Sequence, residues 1–202
     1  MLPRFLYPFL PYRSFIVPIL VLSAIVVPCW VAYRLYRRRT AGHRVSFHRE
    51  ILLLIVVLYL SGLAAVTLEP SRPSRAVAES MVRVELRPNP AALTCSTASL
   101  PSGSTARGFC VRNARGNFLL FVPLGILLPL VWRRLRLRKG IQIAIALSCT
   151  IELLQFLSMA WGSYRTADVN DVVLNVLGAC FGWGLVSLLR LRDGARPAVS
   201  RA

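Results

Sequence analysis

Acid, lysine and histidine are all scarce in this chain. Eight Asp and Glu stand against 25 Lys and Arg, Lys139 is the single lysine, and His43 and His48 are the only imidazoles. Charged residues make up 16% of the sequence, below the roughly one quarter usual in soluble domains, which argues against an ordinary water-soluble fold. No Cys-x-x-Cys pair and no Cys/His spacing of a zinc site occurs, nor a glycine-rich nucleotide-binding loop, nor an internal repeat. Those absences exclude a zinc module, a phosphate-cradling nucleotide site and a repeat array. No Ser, His or Cys stands where it can form a nucleophile with a paired base, so any hydrolysis would have to use water.

What the chain has in excess is apolar length. Hydrophobic residues make up 55% of it and the mean hydropathy is +0.58. The apolar residues fall in five long runs, Phe15–Tyr33, Ile51–Leu68, Asn117–Trp132, Ile141–Ala160 and Val169–Leu189, and runs near 20 residues are what a bilayer core requires. The expected fold is all-α: a polytopic transmembrane helix bundle of about five spans with one long extracytoplasmic loop. The third run is short, since at ~1.5 Å per residue it barely crosses a ~30 Å core.

The net charge of +17 is carried almost wholly by arginine. A basic balance can signal nucleic acid, but here the charge sits between apolar runs, so the partner is the lipid bilayer and not nucleic acid. Tyr33–Arg39 follows the first span, Arg133–Lys139 the third, and Arg190–Arg192 the fifth. Positive charge in short loops marks the cytoplasmic side, and anionic inner-leaflet lipid attracts it. All three clusters share one side if the N-terminus is outside and the C-terminus cytoplasmic. The first span, preceded by Arg4 and Arg13, holds Pro18 and Pro28 and ends in a basic cluster without a small-residue cleavage site, which reads as a retained, kinked helix and not a signal peptide.

Three regions follow: 1–50, an N-terminal transmembrane helix with a basic connector; 51–190, a four-helix membrane domain; and 191–202, a basic cytoplasmic tail expected to be disordered. Within the second, 69–116 is rich in Pro, Ser, Arg and Ala and reads as an irregular extracytoplasmic loop, with an extended strip at Val82–Leu86. His43 and His48 fall in the basic connector as solvated residues. Cys29, Cys149 and Cys180 lie in spans as small hydrophobes. Cys95 and Cys110 share the loop; an oxidising exterior permits a bridge between them, and two unpaired loop thiols fit equally. Gly178-x-x-x-Gly182, with Gly184 beyond, is the small-residue spacing that lets membrane helices approach.

Polar residues thread the last three spans. Glu152 and Gln155 stand one turn apart on span four and share a face. A carboxylate inside a span marks a functional site by default, although an interhelical hydrogen bond to Asn117, Asn175 or Arg165 accounts for it as well. Asp168 can cap span five with Asp171 in its first turn; two carboxylates beside Arg165 exceed what capping needs. Asn175 lies on the same face, four residues beyond Asp171. Asn117 opens span three, and Phe121-Val122-Pro123-Leu124-Gly125 interrupts it: Pro123 removes a backbone donor and Gly125 permits close approach, for a cavity or simply a packing kink.

The combination resembles the VanZ-like family of small bacterial membrane proteins. Its pattern is an Asn before an apolar run with Phe-x-Pro-x-Gly, a Glu-x-x-Gln on the next helix, then Arg-x-x-Asp-x-x-Asp-x-x-x-Asn-x-x-Gly. Here these are Asn117, Phe121, Pro123 and Gly125; Glu152 and Gln155; and Arg165, Asp168, Asp171, Asn175 and Gly178. The likeness covers about residues 55–190, and Tyr59, Thr67 and Leu68 suit the family's first helix. The family's Asn-Leu-x-Pro in the outer loop is reduced here to the Leu and Pro of Glu85-Leu86-Arg87-Pro88-Asn89.

The family is named for a protein associated with resistance to teicoplanin, a lipid-tailed glycopeptide, so the resemblance implies a cell-envelope role and a contribution to antibiotic resistance. The reading it favours is a protein that binds a lipid-linked envelope precursor or a lipoglycopeptide at the outer leaflet through Asn117, Glu152, Gln155, Arg165, Asp168, Asp171 and Asn175. Two other classes stand beside it. One is a membrane enzyme on a lipid-linked substrate, with Glu152 as catalytic acid or base and Asp168 and Asp171 holding a divalent cation as cofactor. The other is a small transporter or flippase, for which five spans suffice only in a homo-oligomer.

Overall fold

In the computed structural model, residues 13–41, 46–68, 84–95, 105–158 and 167–194 are described. Their elements run α1 (Arg13–Ala41), α2 (Phe47–Leu68), β1 (Val84–Glu85), a short α3 (Pro90–Thr94), α4 (Thr105–Val131), α5 (Leu137–Ser158), β2 (Ala167–Asp168) and α6 (Val169–Gly194). The fold is all-α but for these two-residue strands. Among the described residues five helices are long and apolar enough to cross a membrane: Ile16–Thr40, Phe47–Thr67, Cys110–Val131, Leu137–Ser158 and Val169–Arg192. The protein is therefore a multi-pass membrane protein.

The chain divides into two compact units, the first holding α1 and α2 and the second everything from β1 onward. In the first, α1 is continuous through Pro18 and Pro28, and none of its apolar window is buried. Arg34 of α1 donates to Glu50 in the first turn of α2 through Nε (3.0 Å) and Nη2, with Arg38 3.9 Å from the same carboxylate. Ser46 starts α2, its carbonyl accepting from the Arg49 and Glu50 amides at 3.0 and 3.2 Å. Ser61 and Thr67 return their hydroxyls to the Val57 and Leu63 carbonyls at 2.9 and 2.8 Å, which lets a polar side chain sit in an apolar helix without an orphaned group.

In the second unit three glycines bring α4 and α6 together backbone to backbone. A Cβ on Gly178 would lie 2.0 Å from the Phe118 carbonyl oxygen, one on Gly182 2.2 Å from that of Val122, and one on Gly125 1.9 Å from that of Ala179. Larger residues would hold the helices apart, and in lipid such close packing replaces the missing hydrophobic drive for association. Phe118 and Phe181 close over this seam with ring centroids 5.6 Å apart. The residue pairs advance together along both helices, so α4 and α6 run parallel. Helix α5 runs the other way, its Gly140 against the Trp183 ring and its Ser148 against Asn175. Gly184, on the far side of α6 from Gly182, has nothing within 4 Å of a Cβ position and takes no part in the close approach.

Three expectations about the third span change. Helix α4 begins at Thr105, so the last twelve residues assigned to the loop are helical, and Asn117 sits well inside the helix instead of opening it. The longer helix also removes the shortfall in membrane crossing. Pro123 and Pro129 both lie within α4 without breaking it. The apolar run missed the first turns because Arg107, Gly108, Arg112, Arg115 and Gly116 lower hydropathy there, and hydropathy measures immersion in lipid, not helix length. The rest of the expected loop is ordered where described, as β1 and α3. The remainder of 69–83 and 96–104, Arg165, His43 and the tail from 195 onward lie outside the described residues.

Candidate functional site

The polar residues gather where α4, α5 and the start of α6 meet. Asp168 is the N-cap of α6: its Oδ1 accepts the Asn170 amide at 2.8 Å, satisfying one of the helix's unpaired donors. Its own amide donates to Glu152 Oε2 at 3.1 Å, so the acid on α5 anchors the entry of α6. The same residue belongs to β2, which pairs in parallel with β1, Val84 opposite Ala167 and Glu85 opposite Asp168. Three contacts thus converge on one residue from three parts of the chain.

The segment holding β1 and α3 is fastened twice more, once to α6 and once to α4. The Asn89 amide donates to Asn170 Oδ1 at 3.0 Å. Cys95, buried directly after α3, is bridged to Cys110 near the start of α4 with an S–S distance of 2.02 Å and Cα atoms 5.9 Å apart. Cys95 has φ 51°, the left-handed conformation that ends a helix.

Helices α4 and α6 also meet through side chains. Asn113 Nδ2 donates to Asp171 Oδ1 at 3.1 Å. Four residues further along each helix stand Asn117 and Asn175, the next residues on the same faces. Asn175, 2% exposed, donates from Nδ2 to Ser148 Oγ of α5 at 2.8 Å. Its Oδ1 has no partner, and neither do the buried Nδ2 atoms of Asn117 and Asn170. Unpaired buried polar atoms are rare and each costs on the order of 1–3 kcal/mol. A cluster offering two donors and one acceptor is therefore a place where a ligand's polar groups would gain. Gln155 is half-buried one turn beyond Glu152, its carbonyl accepting the Ser158 hydroxyl at 2.7 Å.

Of the residues expected to form a site, the structure ties Glu152 to Asp168 by a hydrogen bond, carries Asp171 and Asn175 on the first two turns of α6, and sets Asn117 on the neighbouring helix. Asp168 and Asp171 each hold an amide hydrogen. Among the described residues no group of three or more His, Cys, Asp or Glu is placed to hold a metal. Sequence reasoning passed over Asn113, Ser148, Asn170 and Asn89. Helical spacing signals the first two, since Asn113 precedes Asn117 by four and Ser148 precedes Glu152 by four. Nothing in the sequence pairs Asn89 with Asn170 across 81 positions.

The same residues carry a family signature. A match to the VanZ/LLP1 family runs over residues 51–190. The chain belongs to the VanZ/LLP1 family. The matched region holds α2 through most of α6, and therefore every residue of this cluster. Comparison with curated proteins and with solved structures gave no match. The VanZ/LLP1 assignment thus rests on the family pattern, and the chemistry on the geometry above.

Proposed function

We propose that this VanZ/LLP1 protein binds a lipid-linked or lipid-tailed molecule of the bacterial envelope at the outer leaflet, and by that binding contributes to resistance against lipid-tailed glycopeptides. The observation that carries the reading is the set of unpaired buried atoms, Asn117 Nδ2, Asn170 Nδ2 and Asn175 Oδ1. They lie where the apolar helices α4 and α6 meet, and a few polar groups among apolar helices suit an amphiphile. The distribution of arginine supports placing this end outside, with the C-terminus cytoplasmic. Arg165, three residues before Asp168 in sequence, is assigned the ligand's anionic group, and Asp168, Asp171 and Gln155 its hydroxyl and amide groups.

A glycopeptide-sensitive host expressing the protein tests this. Protection against teicoplanin but not vancomycin, lost in Glu152→Gln and Arg165→Ala at equal membrane levels, is the expected result. No protection by the wild-type protein, confirmed in the membrane, would detach it from glycopeptides. The enzyme reading has one observation on its side, an acid within a spanning helix. It requires product release from a lipid-linked substrate by the purified protein, dependent on a divalent cation and abolished in Glu152→Gln.

A further inference from the structure

The opposite end of the second unit carries a feature that the polar cluster does not use. Arg133, Arg134, Arg136, Arg138 and Lys139 crowd the turn from α4 to α5, and all five are exposed. The turn is fixed by main-chain hydrogen bonds: Leu135 donates to the Trp132 carbonyl at 2.9 Å, and Lys139 and Gly140 donate to that of Arg136 at 2.9 and 3.1 Å. The first turn of α5 has no acidic residue. Among the described residues the ion pairs, Arg34–Glu50 and Arg38–Glu50, lie in the other unit. The sequence offers one carboxylate near this end, Asp193 on the last turn of α6. Five like charges on a pinned turn repel one another and sum to a positive field.

Beside these cations lies a narrow apolar cleft, too small to enclose a ligand, lined by Leu128, Leu137, Ile141, Cys180 and Trp183 among others. Leu137 stands between Arg136 and Arg138 in sequence and is 45% exposed, so cleft and charge are continuous. Trp132, 43% exposed, suits a position at the membrane–water boundary. We infer that this end is a docking site for an anionic glycerophospholipid, its phosphate held by Arg133, Arg134 and Arg136 and a stretch of acyl chain laid along Leu137, Ile141 and Trp183. Charge complementarity selects the headgroup, and the cleft distinguishes a lipid from a free anion. The inference stands apart from the ligand proposed for the other end.

Native mass spectrometry of the full chain in neutral detergent, with phosphatidylglycerol and phosphatidylcholine at equal mole fraction, tests it. The wild type is expected to retain phosphatidylglycerol at least about fivefold more, the worth of one basic residue near an anionic surface. Arg133→Gln/Arg134→Gln/Arg136→Gln should bring retention to parity, while Arg37→Gln/Arg38→Gln/Arg39→Gln on α1 keeps the preference. Equal retention of both lipids by the wild type, equal loss in the α1 variant, or full displacement by glycerol phosphate alone would each overturn the inference. The first shows no selectivity, the second general bilayer electrostatics, and the third a free-anion site.

Discussion

At one end of the α4–α6 pair, Arg190 donates from Nη2 to the Pro129 carbonyl at 2.6 Å, supplying a donor where α4 is about to run out of its own. At the other end, Asn117 and Asn170 keep buried amide donors without acceptors, and Asn175 an acceptor without a donor. Both ends belong to the same two helices, which glycine brings together at Gly125, Gly178 and Gly182. At the first end a buried carbonyl is given its donor, whereas the other leaves buried polar capacity unused within a framework that two strands, a cap and a disulfide hold in place. Unused capacity in a well-fastened frame points to a ligand, since helices free to shift would have paired these groups among themselves.

The sharpest way to break this comparison is to part the helices. Gly178→Ala places a methyl group 2.0 Å from the Phe118 carbonyl oxygen. Because the obstacle is main chain, the loss should reach about 3 kcal/mol or more, read as a large fall in the melting temperature in detergent. Gly184→Ala is the matched control. With open space at its Cβ position, it should be neutral or stabilise by up to ~1 kcal/mol through helix propensity. Equal losses in both would mean that α4 and α6 are not in glycine contact.

Opening the Cys95–Cys110 bridge removes a fastening of the β1–α3 segment alone. With the cysteines 15 positions apart in sequence, loop-closure entropy sets its worth at about 3 kcal/mol or less. Thermal unfolding of the oxidised protein against Cys95→Ser/Cys110→Ser should show a fall smaller than that of Gly178→Ala. Protease cleavage between residues 84 and 105 should rise as well. An unchanged cleavage rate would remove the disulfide from the account.

Ser148→Ala tests the buried bond that joins α5 to α6 through Asn175. Interhelical hydrogen bonds in membranes are worth about 0.6 kcal/mol on average and reach about 1.7. Here the change also leaves Asn175 Nδ2 without its acceptor, so a loss near the upper figure is expected. A double-mutant cycle with Asn175→Leu should recover most of it. Additive losses would show that the two side chains do not meet.

The five spans were legible in the sequence because lipid immersion demands long apolar runs, and the glycine spacing on the last helix pointed to close packing for the same reason. Legibility failed at the ends. Arg107, Arg112 and Arg115 hid the first three turns of α4, and Asn117 was consequently placed at a helix start instead of beside Asn175. Pro123 looked like an interruption, but a single missing donor inside a packed helix leaves the path of α4 unbroken. Glu152 and Asp168 were legible as polar residues in the wrong solvent. Their bond runs from a main-chain amide to a carboxylate, and residue types do not show that. The contacts of Val84, Glu85 and Asn89 were the least legible, since two-residue pairing between distant segments leaves almost no periodic trace.

The central claim is that the unpaired amides are kept for a ligand and not for the fold. Asn117→Leu tests it most directly, by melting temperature and by teicoplanin binding to the purified protein. The side chain is similar in size and loses only an unsatisfied donor, so stability should be unchanged or rise by about 1 kcal/mol while binding falls at least about tenfold. A variant that melts lower yet binds teicoplanin as the wild type does would contradict the claim and make Asn117 part of the packing.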